Sequence, residues 1–465
     1  MQLVLKNNLK KVRADKVRFT TICAIFIAAF FIMFRYLFDA YTYPILFSVI
    51  ALLMMRRVTH FKLDESDYFW IIYALIMVTF GLIRDDQSLA VKRFLLLVTM
   101  IALKIILQSD YQKWRDILYR LLIIFGLIHA FGIFLDIVNP TFTKSLRLMF
   151  TTEHYDYFEN YRSAVYRFGF TNQPGVVGFC LTCLCSVCAV RFFQPGARNR
   201  AIYLVLLLIG ISSLLLTGKR ALFAEALFAF FVIAFLYNSL IMQKGTKFFI
   251  GGFIVIAIFA VIASQPVFSA NVDRLLNGDD AGRAEIWEFL INNFKSSPII
   301  GVGKDVFTSQ MDMGAHNEYL KVLSENGILG FVFFIIALAI PLIKIIVTII
   351  MNRQLLRSLI ETDQKDIVYD LLASVSFQII ILLYSLTGNP LTSPEQTTAY
   401  FIFTAIGIGA MRRLQLVAKS KRSHASPSPR LELEQSEGAK LLPSPQPKYL
   451  SNQLYLVEGN GTTGH

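Results

Sequence analysis

Residues 327–350 carry the sequence GILGFVFFIIALAIPLIKIIVTII, in which Lys344 is the only charged residue. About 20 apolar residues are enough for an α-helix to cross the hydrocarbon core of a bilayer. Similar runs recur along the 465-residue chain, which is 55% hydrophobic and 17% charged, whereas a soluble domain carries about 25% charged residues. The composition therefore indicates an all-α polytopic membrane protein and argues against a soluble globular domain.

Apolar runs bounded by basic residues predict about twelve transmembrane helices. They lie at about 19–38, 43–55, 68–83, 90–107, 116–138, 171–190, 201–217, 221–241, 248–265, 327–350, 369–386 and 397–411. The basic stretch KNNLKKVRADKVRF leads into the first run without a small-residue cleavage site, so a retained helix is expected rather than a signal peptide. The positive-inside rule places the Lys/Arg-rich short loops and both termini in the cytoplasm.

Two segments on the opposite side, about 139–170 and 266–326, are too long to be simple turns, and long loops often carry function. The second precedes the predicted tenth helix. We expect residues 1–422 to form the membrane domain and residues 423–465, rich in Ser, Pro, Gln and Gly, to form a disordered cytoplasmic tail. The net charge of +13 follows the loops of this topology, so we predict no nucleic-acid partner.

Four cysteines, Cys180, Cys183, Cys185 and Cys188, lie within one predicted span. At ~100° per residue they point around more than half of the helix circumference, so they cannot all reach one ion. We interpret them as small apolar residues of a transmembrane helix rather than as a metal or redox site.

The long loop at 266–326 contains DDAGRAEIWEFLINNF, which predicts a short helix with Asp280 as its N-cap. One apolar stripe at helical spacing is expected to face the outer leaflet or the bundle: Ile286, Trp287, Leu290, Ile291 and Phe294. Arg283 lies just before that stripe. It could bind an anion at the helix N-terminus, or extend toward lipid headgroups, and the helix alone leaves both open.

Other cations are expected at the same external level. Lys219 and Arg220 lie in a very short turn between two spans, where charge is costly without an anionic partner. Arg167 and Asn172 precede another span. The nearby carboxylates in TTEHYDYFENYR could form an acid/base pair, although a solvated loop face is the commoner arrangement; they and their histidine are Glu153, His154, Asp156 and Glu159.

The stretch GAHNEYLKVLSENGILGF, residues 314–331, places His316 at the external mouth of the tenth predicted helix. A neutral imidazole is the side chain suited to exchanging protons near neutral pH. By itself His316 would be a capping or packing residue. With several external arginines that could hold a diphosphate, it becomes a candidate base for a sugar hydroxyl.

Three stretches together resemble the O-antigen ligase/polymerase superfamily of bacterial envelope glycosyltransferases. They are LLTGKRALF (215–223), GRAEIWEFLINNFKSSPIIGVGKDVF (282–307) and HNEYLKVLSENGILGF (316–331), and the resemblance covers about residues 160–415. It implies a GT-C-like, metal-independent and cofactor-free enzyme at the periplasmic face of the inner membrane. Its donor would be an undecaprenyl-diphosphate-linked oligosaccharide or polysaccharide. One departure is Lys219, where many members of the family have serine.

The resemblance also implies residue roles. Arg220 and Arg283 would engage the diphosphate, with Lys219 and Arg167 as further contacts, and His316 would be the catalytic base. Asn317, Tyr319 and Trp287 are expected to support the site. Cations that balance a polyprenyl diphosphate make it a good leaving group, and the acceptor hydroxyl would attack with inversion.

Three functions follow, in order of preference. The first is a Wzy-type polymerase of O-antigen, capsule or exopolysaccharide, whose acceptor is a lipid-linked repeat unit and whose further partner is a chain-length regulator. The second is a ligase that transfers the glycan to lipid A–core during lipopolysaccharide biosynthesis. The remote third is a polysaccharide-related membrane transporter, favoured only by Lys104 and Glu225 as intramembrane charges. A non-catalytic membrane scaffold would need neither His316 nor the external arginines.

Overall fold

The computed structural model describes residues 22–23, 25–34, 37, 63–83, 87–109, 111–150, 166–171, 174–194, 200–242, 283–303 and 315–425, and within them the regular structure is helical, without strands. The helices are α1 (Ile25–Phe34), α2 (Glu65–Ile83), α3 (Gln87–Ser109), α4 (Arg115–Val138), α5 (Pro140–Phe150), α6 (Pro174–Phe193), α7 (Arg200–Leu216), α8 (Arg220–Phe235), α9 (Arg283–Ser296), α10 (Glu318–Met351), α11 (Arg353–Ile360), α12 (Asp366–Tyr384) and α13 (Pro394–Ala425). A 3-10 turn, Tyr111–Lys113, precedes α4, and a π-helical segment, Leu236–Ile241, continues α8.

In the described part of the chain, seven helices are long and apolar enough to cross a membrane: α2, α4, α6, α8, α10, α12 and α13. The all-α membrane architecture is thus confirmed in outline. Predicted spans at 19–38, 90–107 and 201–217 coincide with α1, α3 and α7, which are shorter or less apolar. Predicted spans at 43–55 and 248–265 lie outside the described residues. The twelve-helix count and the GT-C-like arrangement therefore stay predictions.

The segments between the spans contain helices of their own. The first long loop begins as α5, while residues 151–165 lie outside the described part. The second contains α9, the stretch 297–303 and the start of α10. The last helix, α13, continues to Ala425, past the predicted domain boundary, and residues 426–465 are not described. The helices up to Gln415 belong to one compact unit, Met1–Gln415; the other unit is Leu416–His465.

Helix α6 lies at the centre of this unit and packs against α4, α7, α8 and α12. Small residues let its neighbours approach closely. A Cβ atom added to Gly126 of α4 would lie 2.7 Å from Leu184 Cβ, and one added to Gly210 of α7 would lie 2.8 Å from Cys185 Sγ. The four cysteines of α6 are buried free thiols, as their interpretation as packing residues requires.

Helix α10 is interrupted at Gly327, where φ is 63° and ψ is −171°. Residues that follow α9 bind the backbone groups freed by this break. Val302 N–H donates to Ser324 O at 2.8 Å, and Ile328 N–H donates to Pro298 O at 2.9 Å. Because a backbone group in a membrane must be paired within the protein, these hydrogen bonds allow a break in a helix that is apolar enough to span a membrane. They also tie α9 to the beginning of α10.

Buried ion pairs hold the opposite end of the bundle. Lys104 Nζ lies 2.6 Å from both Asp64 Oδ2 and Asp67 Oδ1, at the start of α2. Arg115 pairs with Asp366 and Asp370 at the start of α12. Lys104 is thus a paired cation at a helix end rather than a lone charge at mid-span, which removes one of the two observations that favoured a transporter.

Candidate functional site

His316 lies in a bend two residues before the start of α10. Among the described non-glycine residues it alone has a positive φ, 51°, a conformation that costs energy unless the surroundings impose it. Its backbone N–H faces the Asn389 side chain. With the Asn389 amide oriented to donate to Gly388 O, its oxygen accepts from His316 N–H at 3.3 Å, an orientation assigned from the hydrogen-bond network.

The loop after α12 holds the first residues of α10. Glu318 N–H donates to Ser385 O at 2.8 Å and to Gly388 O at 3.0 Å. Leu391 N–H donates to Glu318 Oε2 at 3.2 Å, and the Tyr319 hydroxyl donates to Leu382 O at 2.7 Å. We call residues 385–391 the cradle loop, because it positions the backbone on which His316 is carried.

Lys219 and Arg220 occupy the tight turn between α7 and α8. Gly218 at φ 69° makes this turn possible, since a residue with a side chain adopts that conformation only at a cost. Lys219 N–H is held by Thr217 Oγ1 at 3.3 Å, and Arg220 begins α8. Both side chains are half-buried. Their position at the helix start places two cations where backbone N–H groups also favour an anion.

Arg283 begins α9, which docks on the residue beside His316. Ile286 and Leu290 of α9 are buried against Ala315, with Trp287, Phe289 and Leu320 packed around them. Ile291 of the predicted stripe is instead 39% exposed. The helix thus lies against the bundle, the second of the two predicted alternatives. The predicted N-cap, Asp280, lies outside the described residues.

These elements bring His316, Lys219 and Arg283 into one electrostatic environment. Burial, the largest cause, and the positive charges of Lys219 and Arg283 together lower the pKa of His316 to about 4. The imidazole is therefore neutral at physiological pH and retains a lone pair that can accept a proton. Two cations beside a neutral imidazole form a site suited to an anion next to a proton transfer.

The supporting residues have structural contacts. Asn317 is the N-cap of α10, and its side-chain oxygen accepts from Leu320 N–H at 3.0 Å. Tyr319 anchors α10 to the end of α12 through Leu382. The Trp287 ring packs in the α9 cluster, and its buried Nε1 has no hydrogen-bond partner in the described part of the chain. These contacts fix the positions of α9 and of the start of α10 next to His316.

Arg167 is not brought into this group by any described hydrogen bond or ion pair. It lies on the segment 166–171. Arg147 Nη1 donates to Gly169 O of this segment at 2.8 Å and to Asp136 Oδ1 of α4 at 3.2 Å. Phe168 N–H also donates to Asp136 Oδ2. The other residues of this region that the sequence singled out are not described: Glu153, His154, Asp156, Glu159 and Asn172.

Three residues near the site were missed by sequence reasoning: Tyr384, Thr387 and Asn389. The hydroxyl of Tyr384 and Cε of Lys219 both lie 3.7 Å from the position of a Cβ on Gly175, so they flank the same point of α6. Thr387 contacts Glu225, and Asn389 faces His316. The sequence contained one indication of these residues. The polar stretch YSLTGNPLTS, residues 384–393, follows the apolar run predicted to end on the same side of the membrane as His316.

A family model described as O-Antigen ligase, Wzy_C, matches residues 204–335. This match confirms the resemblance to the O-antigen ligase/polymerase superfamily over that part of the chain. The matched range contains His316, Lys219, Arg220 and Arg283, whereas Arg167 and the cradle loop lie outside it. No curated protein matches the chain.

Proposed function

We propose that this chain, which carries the O-antigen ligase region at residues 204–335, is a membrane glycosyltransferase that moves a glycan from a polyprenyl diphosphate to a sugar hydroxyl. The observation that carries the proposal is the grouping of His316 with Lys219 and Arg283. These residues come from three separate stretches of sequence. A diphosphate linkage needs cations, and the attack of a hydroxyl needs a proton acceptor beside them.

In the proposed reaction the oxygen of the acceptor hydroxyl attacks the anomeric carbon of the donor glycan, with inversion. The bond between that carbon and the diphosphate oxygen breaks, and its electron pair leaves with the polyprenyl diphosphate. The hydroxyl proton passes to the neutral imidazole of His316. Lys219, Arg220 and Arg283 stabilise the negative charge that develops on the leaving group.

The low pKa of His316 couples base strength to donor binding. In the free protein, protonated imidazole would face the positive charges of Lys219 and Arg283. A bound diphosphate offsets those charges, so imidazolium becomes less costly and His316 becomes a stronger base. The base would then gain strength only when the donor is in place.

The acceptor we propose first is a second lipid-linked repeat unit, which makes the enzyme a Wzy-type polymerase of O-antigen, capsule or exopolysaccharide. The stretch HNEYLKVLSENGILG supports this choice by its resemblance to polymerases. The second candidate is a ligase that uses lipid A–core, and the description of the matching family favours it. In both cases the site would face the periplasm of the bacterial inner membrane, with both termini cytoplasmic and an undecaprenyl carrier in the bilayer.

The test is reconstitution of the purified full-length chain in liposomes with undecaprenyl-diphosphate-linked repeat units, with and without lipid A–core. Longer lipid-linked chains identify a polymerase, and glycan attached to core identifies a ligase. Absence of both products from folded, inserted protein would overturn the proposal.

Substitutions test the site within the same assay. Arg220→Ala, Arg283→Ala and His316→Ala should each abolish product formation while expression and membrane insertion stay intact. Lys295→Ala removes an exposed cation from the last turn of the helix that begins with Arg283. It is the matched control and should retain activity. Full activity of His316→Ala would refute its assignment as the base.

A further inference from the structure

Glu225 is the acidic residue of α8 that faces the cradle loop. Its Oε1 accepts a hydrogen bond from Thr387 Oγ1 at 3.4 Å. Since the cradle loop also holds Glu318 and His316, Glu225 lies at the level of the candidate site rather than near mid-span. The second observation that favoured a transporter therefore has a different explanation.

The other carboxyl oxygen of Glu225 is the second observation. Oε2 is buried and has no hydrogen-bond partner among the described residues, and the residue as a whole is 6% exposed. Burial of a carboxyl oxygen without a partner is costly, and such groups in folded proteins call for a specific explanation. Ionisable residues within membrane helices commonly mark a substrate path.

The surroundings of Glu225 connect it with the cations of the site. A Cβ atom on Gly388, the residue after Thr387, would lie 3.0 Å from the Tyr384 hydroxyl. That hydroxyl and Lys219 Cε both lie 3.7 Å from the Cβ position of Gly175. The Tyr384 hydroxyl thus lies between the cradle loop, which contacts Glu225 through Thr387, and the part of α6 that Lys219 contacts.

We infer that Glu225 binds a hydroxyl group of the sugar that is attached to the diphosphate, with Oε2 as the hydrogen-bond acceptor. Thr387 orients the carboxyl through the other oxygen. Sugar hydroxyls both donate and accept hydrogen bonds, so one of them can pair with this buried carboxyl oxygen. The inference rests on the proposed function, since the diphosphate is assigned to Lys219, Arg220 and Arg283.

The experiment compares two probes on purified full-length protein in nanodiscs. One probe is undecaprenyl diphosphate without sugar, and the other is undecaprenyl diphosphate that carries one N-acetylhexosamine. Glu225→Ala should weaken binding of the sugar-bearing lipid about tenfold, the effect of losing one buried hydrogen bond, and leave binding of the sugar-free lipid within about twofold. Glu225→Gln keeps the shape and an acceptor oxygen, so an intermediate loss for the sugar-bearing lipid is expected.

Controls separate this role from folding and from the proposed function. Glu285→Ala removes an exposed carboxylate on the helix of Arg283 and should change neither affinity. Equal weakening of both probes by Glu225→Gln, or no weakening of either by Glu225→Ala, would overturn the assignment of Glu225. Failure of the proposed function would give a different binding result. In that case the wild-type protein would bind the sugar-free lipid no better than Arg283→Ala does.

Discussion

Gly301 and Gly327 lie against each other's backbone where the stretch after α9 crosses the break in α10. A Cβ atom on Gly327 would lie 2.6 Å from Gly301 N, and one on Gly301 would lie 2.5 Å from Asn326 N. Both glycines have positive φ, 70° at Gly301 and 63° at Gly327. The two glycine-containing stretches, PIIGVG and ENGILG, therefore form a structural interlock that connects the helix of Arg283 to the helix entered from His316.

Alanine at either position should destabilise the protein. A backbone conformation with positive φ costs a residue with a side chain about 1–3 kcal/mol, and the backbone contacts leave no room for the added atom. Thermal unfolding in detergent measures the loss. Gly175→Ala is the control for stability, because its Cβ would make only contacts at 3.7 Å. Unchanged unfolding of Gly327→Ala would contradict the interlock.

Activity should depend on pH through His316. As the base, it must be unprotonated, so the rate falls as the pH drops through its pKa. For kcat/KM, which reports the free enzyme, that acid limb is expected near a pKa of about 4. The acid limb of kcat should lie at higher pH, because the bound diphosphate offsets the cations. Initial rates from pH 3.5 to 8 measure both.

Lys219→Gln provides the internal check on that assignment. Loss of the neighbouring positive charge raises the pKa of His316, so the acid limb of kcat/KM should move to higher pH even if the rate falls. An acid limb that does not move would mean that another group controls the profile.

The cap of α10 should contribute measurably to stability. Asn317→Ala removes the acceptor of Leu320 N–H and should cost about 1 kcal/mol, with a lower unfolding temperature. Asn317→Ser keeps a capping oxygen and should restore both stability and product formation. If serine restored stability but not activity, the amide of Asn317 would have a chemical role beyond capping.

Chelation should leave the transfer reaction intact. The proposed mechanism balances the diphosphate with side-chain cations at Lys219, Arg220 and Arg283, so EDTA added to purified enzyme should not reduce product formation. Loss of activity that a divalent ion restores would show that a metal ion shares this task.

Much of the fold could be predicted from local sequence. The apolar run predicted at 116–138 is α4, Arg115–Val138, and the run at 369–386 is α12, Asp366–Tyr384. Such helices follow from the length of an apolar segment, which is a local property. The family resemblance rested on short stretches in the same way, and the family match over residues 204–335 confirmed it.

The candidate site was predicted only in part, because its contacts are long-range. Ile291 belonged to the predicted stripe of α9 but is 39% exposed, since docking on Ala315 selects the face with Ile286 and Leu290. Glu225 was noticed as a charge, but its contact with Thr387 depends on how α8 meets the cradle loop. The local sequence does not predict this tertiary contact between α8 and the cradle loop.

The sequence by itself determined that this chain is an all-α membrane protein and which polar residues interrupt its apolar runs, because hydrophobic length and charge are properties of the segment alone. Only the tertiary structure decided that Lys219 and Arg283 act on His316. It also decided that Gly327 breaks α10. Such relationships depend on which helix ends pack together, and that is set by contacts between segments distant in the chain.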